Sequence, residues 1–129
     1  MYVSATTNLM VESVGESVAF YRDILGFLVV TSVCPAGSGE LQFAIVAKDN
    51  VTLMFQERSN LSGEYPVLAT DKVHPSVTLY IKADNFDALY IELKDKCTVL
   101  NEVHTTFYGA KEFAIKDNSG YVLTFTENA

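Results

Sequence analysis

Between Phe113 and Glu127, two apolar runs of strand-forming residues flank a polar turn, Asp117-Asn118-Ser119-Gly120. Two strand-forming runs around a polar turn predict a β-hairpin. A matching stretch runs from Phe43 to Glu57, 70 residues earlier, with Phe43/Phe113, Ala44/Ala114, Ile45/Ile115, Leu53/Leu123, Phe55/Phe125 and Glu57/Glu127 identical. The same offset continues back without a gap through Gly39/Gly109, Val33/Val103, Val29/Val99, Leu9/Leu79 and Val3/Val73. The 129 residues therefore read as about two copies of one unit.

Each copy predicts one strand, one helix and three strands. The first strand spans Tyr2 to Val11. Ser13 followed by Glu16 forms a capping-box pattern, and Val14, Val18, Tyr21 and Leu25 then recur at helical spacing up to Gly26. Strands follow at Phe27 to Val33, Leu41 to Ala47 and Val51 to Glu57. The polar segment Arg58 to Lys72 reads as a linker. In the second copy, a strand at Ser76 to Ala83 precedes a helix capped by Asp84, with Phe86, Leu89, Tyr90 and Leu93 on its buried face. Strands at Thr98 to His104, Lys111 to Lys116 and Tyr121 to Thr126 complete it. The expected organisation is one domain over 1–129, with a first module at 1–57, a linker at 58–72 and a second module at 73–129.

The alternation also assigns faces. Leu9/Leu79, Val11/Ile81, Leu53/Leu123 and Phe55/Phe125 are apolar in both copies and should lie under the helices. The opposite face then carries Thr6, Asn8, Met10, Met54 and Gln56 in one module. In the other it carries Ser76, Thr78, Tyr80, Thr124 and Thr126. Two such mixed faces curled toward each other would form a cleft suited to a small ligand.

Composition narrows the partners. Nine Lys+Arg against sixteen Asp+Glu give a net charge of −7, and no basic cluster exists to meet a nucleic-acid backbone. No basic leader precedes an apolar run, and no run is long enough to span a membrane, so a cytoplasmic protein is expected. Cys34 and Cys97 match no paired motif and read as free core thiols. Asn50-Val51-Thr52 and Asn60-Leu61-Ser62 match the glycosylation pattern, which carries little meaning without a secretory signal.

Two stretches carry a family resemblance. Ser17-Val18-Ala19-Phe20-Tyr21-Arg22-Asp23-Ile24-Leu25-Gly26-Phe27 is similar to the first helix and turn of the vicinal oxygen chelate superfamily. Tyr108-Gly109-Ala110-Lys111-Glu112-Phe113-Ala114-Ile115-Lys116-Asp117-Asn118-Ser119-Gly120-Tyr121 resembles its closing hairpin, with Asn118 where that family usually has proline. The superfamily includes glyoxalase I, extradiol dioxygenases, fosfomycin-resistance enzymes and bleomycin-resistance proteins. The resemblance implies an α+β fold of two tandem βαβββ modules, forming a curved mixed sheet around a cleft and often assembled as a homodimer.

The superfamily's enzymes hold a divalent metal on strands 1, 4, 5 and 8. Carried over by position, those sites are Thr6, Met54, Ser76 and Thr124, and none is His or Glu. Hydroxyls and a thioether are poor ligands for such a metal, so no metal or other cofactor is expected. His74 and His104 are isolated and read as surface or hydrogen-bonded residues. Glu112 has two readings, one at the border of the inferred cleft and a favoured one as a solvent-facing strand glutamate. No nucleophile elbow and no visible Cys–His or Ser–His pair supports covalent catalysis.

The expectation is a metal-free binding protein of the bleomycin-resistance type, sequestering a ligand as in antibiotic resistance. Asn8, Met10, Met54, Gln56, Tyr80, Tyr108, Thr124 and Thr126 are its expected ligand-binding residues. With −7 net charge, no Lys or Arg on the inferred cleft face, and Phe107 near Tyr108, the expected ligand is aromatic or cationic. The alternative is a glyoxalase-like lyase or dioxygenase with rearranged metal ligands. Against a glutathione substrate stands the presence of only two arginines, Arg22 and Arg58. A regulatory or protein-binding module is a further class that the fold admits.

Overall fold

The computed structural model describes residues 1–128. The chain divides into two compact units, one from Met1 to His74 and the other from Pro75 onward. Each unit is built as a βαβββ module. The first contains β1 (Thr7–Val11), α1 (Val14–Asp23), β2 (Leu28–Val33), β3 (Phe43–Lys48) and β4 (Val51–Glu57). It continues into α2 (Arg58–Glu64) and a single 3-10 turn (Pro66–Leu68). The second contains β5 (Thr78–Ala83), α3 (Phe86–Leu93), β6 (Thr98–Thr105), β7 (Lys111–Lys116) and β8 (Val122–Glu127). The two four-stranded mixed sheets have the same order, β1-β4-β3-β2 and β5-β8-β7-β6, with the first pair parallel and the rest antiparallel.

Local chemistry explains the helices. Ser13 Oγ accepts from the Glu16 amide at 3.1 Å, satisfying one of the free N–H groups of the first turn of α1. Gly26, at φ +79°, lets the chain leave the helix in the left-handed region. On α3 the cap is Asn85 rather than the expected Asp84. The Asp84 carboxylate instead accepts from Asn128 Nδ2 at 2.6 Å, which ties the start of α3 to the end of β8. The expected linker at 58–72 is partly helical. Glu57 Oε1 and Oε2 accept from the Asn60 and Ser59 amides at 3.0 and 2.8 Å, and Leu61 buries the inner face. Glutamate is an uncommon N-cap, so the local pattern does not signal this helix start.

Each unit has its own aromatic core. Tyr21 on α1 is fully buried and packs against Phe27 and Phe55, with ring centroids 5.4 and 4.9 Å apart. In the second unit Phe113 is fully buried between Phe86 (5.2 Å), Tyr90 (5.0 Å) and a stacked Phe125 (5.1 Å). Leu9, Val11, Leu53, Phe55, Leu123 and Phe125 are buried, and Leu79 and Ile81 half-buried, on the face assigned to the helices.

The repeat is not ungapped in space. Leu9 stands beside Phe55, yet Leu79 stands beside Leu123, and Ile81 is the residue beside Phe125. With Phe55 and Phe125 as the common reference, β5 is displaced by two residues, which preserves the faces. β7 is displaced by one: Ala44 lies opposite Phe55, whereas Phe113 lies opposite Phe125. A one-residue slip turns every side chain over. The hairpin turns account for it. Asp49 (φ +51°) and Asn50 make a two-residue turn between Lys48 and Val51, whereas five residues separate the paired Lys116 and Val122. Phe43 and Phe113, identical in the repeat, therefore face opposite ways.

Both cysteines depart from expectation. Cys34 is exposed where β2 runs into its loop, and Cys97 is half-buried after α3; both are free. The Cys97 thiol donates to the Leu93 carbonyl at 3.3 Å, and its pKa is pushed up by burial. No helix among the described residues is long and apolar enough to cross a membrane.

Candidate functional site

The slip in β7 brings a carboxylate onto the sheet face away from the helix. Glu112 pairs with Thr126 on β8 and with His104 on β6, and Ala114 pairs with Thr124. Tyr80 stands beside Thr124 on β5. Glu112, expected to face solvent, is only 6% exposed.

Two phenols converge on it. Tyr80 Oη donates to Glu112 Oε2 at 2.5 Å, and Tyr108 Oη donates to the same oxygen at 2.6 Å. β5 positions Tyr80. Tyr108 lies in the loop between β6 and β7, held by the Gly109 amide donating to the Thr106 carbonyl and the Thr106 amide donating to the Ala110 carbonyl. Charge-assisted bonds of this kind are about twice as strong as neutral ones. They hold Glu112 below the usual carboxylate range, Tyr108 contributing most, then Tyr80, with the charge of His104 a smaller aid. Conversely, the bond to Glu112 pushes the Tyr108 phenol up to about 12.

The cluster is thus an ionised carboxylate roofed by two phenols. Glu112 belongs to none of the ion pairs among the described residues, and Lys82, two residues along β5 from Tyr80, makes none with it. The rings stay open to solvent, Tyr80 at 54% and Tyr108 at 58% exposed. Phe107 is fully exposed and meets Tyr108 edge-on, with centroids 5.0 Å apart.

In the first unit the corresponding face carries a chain of side-chain amides. Asn8 Nδ2 donates to Gln56 Oε1 at 2.9 Å, while Gln56 Nε2 donates to Asn60 Oδ1 at 2.8 Å and Glu64 Oε1 at 3.1 Å. Asn60 Nδ2 donates to Gln42 Oε1 at 3.2 Å. Gln56 is buried with both N–H groups committed, so Asn8 is the exposed member of the pair. Met54 stands between Asn8 and Ile45 across the sheet; Met10, Met54 and Thr124 are half-buried. Thr126 is buried, and its hydroxyl donates to the Lys111 carbonyl at 3.3 Å.

The expected residues thus fall into two groups. Asn8, Met10, Met54 and Gln56 share a face of the first unit, and Tyr80, Tyr108, Thr124 and Thr126 surround Glu112 in the second. Sequence reading missed Glu112 as a site residue. The signal lay in its own hairpin: Phe113 and Ile115 alternate as core residues, which places Glu112 on the other face.

The metal positions carried over from the resemblance do not fit a metal. Thr6 and Ser76 are exposed and precede β1 and β5, while Asn8 and Tyr80 are the residues beside Met54 and Thr124. No group of three or more His, Cys, Asp or Glu residues comes together among the described residues. Hydroxyls, an amide and a thioether make a poor donor set for a catalytic divalent ion. His104 Nδ1 is 2.8 Å from the Glu102 carbonyl, and His74 Nε2 is 3.5 Å from Asp71; both histidines are exposed.

Comparison with known proteins places this geometry in context. The family model described as the Glyoxalase/Bleomycin resistance protein/Dioxygenase superfamily matches residues 4–125. No curated protein matches the sequence. Among solved structures, a glyoxalase/bleomycin resistance protein/dioxygenase from Nocardioides superposes with a TM-score of 0.80 at 16% identity, covering 98% of this chain and 84% of its own. Lactoylglutathione lyase from Agrobacterium tumefaciens gives 0.73 at 18% identity, covering 98% and 93%. The bleomycin-binding protein from bleomycin-producing Streptomyces verticillus, complexed with copper(II)-bleomycin, gives 0.68 at 22% identity, covering 100% and 98%. At these identities the likeness is one of fold.

Proposed function

Because the chain belongs to the glyoxalase/bleomycin resistance protein/dioxygenase superfamily, we propose that it acts as one of the superfamily's binding proteins, sequestering a cationic aromatic small molecule without making or breaking a bond. One observation carries this reading: the buried Glu112 carboxylate has phenol partners but no ion pair among the described residues, and sits beneath half-exposed tyrosine rings. A cation over such a ring gains roughly 0.5–2 kcal/mol. A carboxylate nearby adds attraction that is stronger out of water than in it. An anion at the same place would meet like charge.

Thr124 belongs to the reading as an additional ligand-facing group of the second unit, and Asn8, Met10 and Met54 as ligand-facing groups of the first. Gln56 and Thr126 serve it as internal supports, since their polar atoms already have partners. The lyase or dioxygenase alternative lacks a suitable donor set. Its glutathione form also lacks free arginines: Arg22 is paired with Asp23, and Arg58 bonds Glu12 and the Thr70 carbonyl. A homodimer completes the proposal. β2 is an edge strand exposing Leu28, Val30 and Val33, a surface that a second copy would cover. A thermal-shift panel tests the ligand class, since a ligand of the native state raises the melting temperature. Bleomycin and benzylamine should stabilise the protein, and glutathione conjugates and phosphonates should not. The reverse pattern would overturn the reading.

A further inference from the structure

The amide chain on the first unit has a direction, and one exposed carboxylate sets it. Primary amides can be linked either way round. Turning Asn8, Gln56, Asn60 and Gln42 over together would preserve every amide–amide hydrogen bond among them, because each amide both donates and accepts. Glu64 removes that symmetry. A carboxylate only accepts, so Gln56 must turn its NH2 toward Glu64 Oε1, 3.1 Å away. Its second N–H then goes to Asn60 Oδ1, and Gln56 Oε1 is left facing β1. Asn8 must meet that oxygen with its own NH2. The consequence appears at the open end: Asn8 is an exposed residue, and its Oδ1 is left out of the amide chain with no hydrogen bond from any described residue.

We propose that Glu64 is a positioning residue which, acting through Gln56, fixes Asn8 as a hydrogen-bond acceptor, so that this face selects ligands carrying an N–H or O–H donor. This specificity rests on the binding reading above, but it uses only residues of the first unit and is independent of Glu112. It places a polarity determinant two hydrogen bonds from the ligand, on a short helix that the repeat does not contain. Reversing the charge at the anchor should reverse the chain. In Glu64→Lys an ammonium, which only donates, would draw Gln56 Oε1 toward it, turn Gln56 NH2 toward Asn8, and leave Asn8 presenting its own NH2.

The test is NMR of the ligand-free protein with labelled side-chain amides. In the wild type, a through-hydrogen-bond coupling should link Asn8 Nδ2 to the Gln56 side-chain carbonyl. In Glu64→Lys it should vanish and be replaced by one linking Gln56 Nε2 to the Asn8 carbonyl, while Glu64→Gln should show both. Loss of a hydrogen bond through local unfolding would give neither coupling and would overturn the proposal. So would retention of the wild-type coupling in Glu64→Lys. Phenol and anisole, both uncharged, supply the binding arm. The wild type should prefer phenol, the donor, and Glu64→Lys should lower that preference about tenfold, equivalent to about 1.4 kcal/mol. Failure of the wild type to bind phenol counts against the binding reading, whereas the couplings decide the relay.

Discussion

Replacing Glu112 with glutamine changes one atom and removes the charge that organises the second unit's site. The Tyr108 phenol is raised to about 12 chiefly by donating to Glu112 Oε2, with burial and Tyr80 adding to the effect and Thr106 opposing it. In Glu112→Gln an amide oxygen takes the place of the carboxylate, and the phenol no longer loses a charge-assisted bond or meets a neighbouring anion when it ionises. Its pKa should fall by at least about one unit, toward the ordinary tyrosine value near 10. Stability should follow. A phenol raised in the folded state stabilises it fully below the unfolded pKa of about 10, and that stability is lost as pH rises toward the folded value. Glu112, held low, acts at the acid end: its contribution is present above an unfolded pKa of about 4.3 and is lost as pH falls through the lower folded value. The glutamine variant should lose both limbs, because a neutral amide replaces the charged acceptor. Carbon-13 labelling of the tyrosine ring carbons that bear the hydroxyl, read by NMR across an alkaline titration, resolves Tyr108 from the other tyrosines when Tyr108→Phe supplies the assignment. An unchanged Tyr108 midpoint in Glu112→Gln would show that the carboxylate does not hold the phenol, and the reasoning about the site would fail.

Other outcomes follow from the same structure. Phe113→Ala, which empties the fully buried centre of the second unit's aromatic cluster, should cost about 3–5 kcal/mol by chemical denaturation. Gly120→Ala should destabilise by more than about 1 kcal/mol, because φ is +96° and the added methyl would lie 3.2 Å from Pro75 Cγ. Light scattering should give twice the chain mass at micromolar concentration. A single chain mass would refute the homodimer, and Val30→Lys on the exposed edge of β2 should weaken association.

The sequence made the modules legible because the same apolar alternation occurs in each. Leu9, Leu53, Phe55, Leu123 and Phe125 occupy the expected helix-facing positions. It did not make the register legible. Register depends on the turns, and the turn from Asp117 to Tyr121 is longer than that at Asp49–Asn50, so Phe113 moves into the core while Phe43 does not. The same slip hid Glu112, an acidic residue whose burial is satisfied by one partner remote in sequence, Tyr80, and one from the preceding loop, Tyr108. Tyr80 was identifiable from its strand position, and Tyr108 from its loop beside a glycine, but nothing local shows that both reach one carboxylate oxygen. Helix α2 was obscured because its cap, Glu57, is also the last residue of β4. The amide chain escaped for a related reason: Gln42, Asn60 and Glu64 lie in segments that read as loop and linker.

Titration calorimetry with bleomycin on the wild type and on Glu112→Gln tests the central claim most directly. The account predicts saturable binding to the wild type, weakened at least about tenfold in the variant, a loss of about 1.4 kcal/mol or more. Equal affinity for the two proteins, or tight wild-type binding of a glutathione conjugate with none of bleomycin, would contradict it.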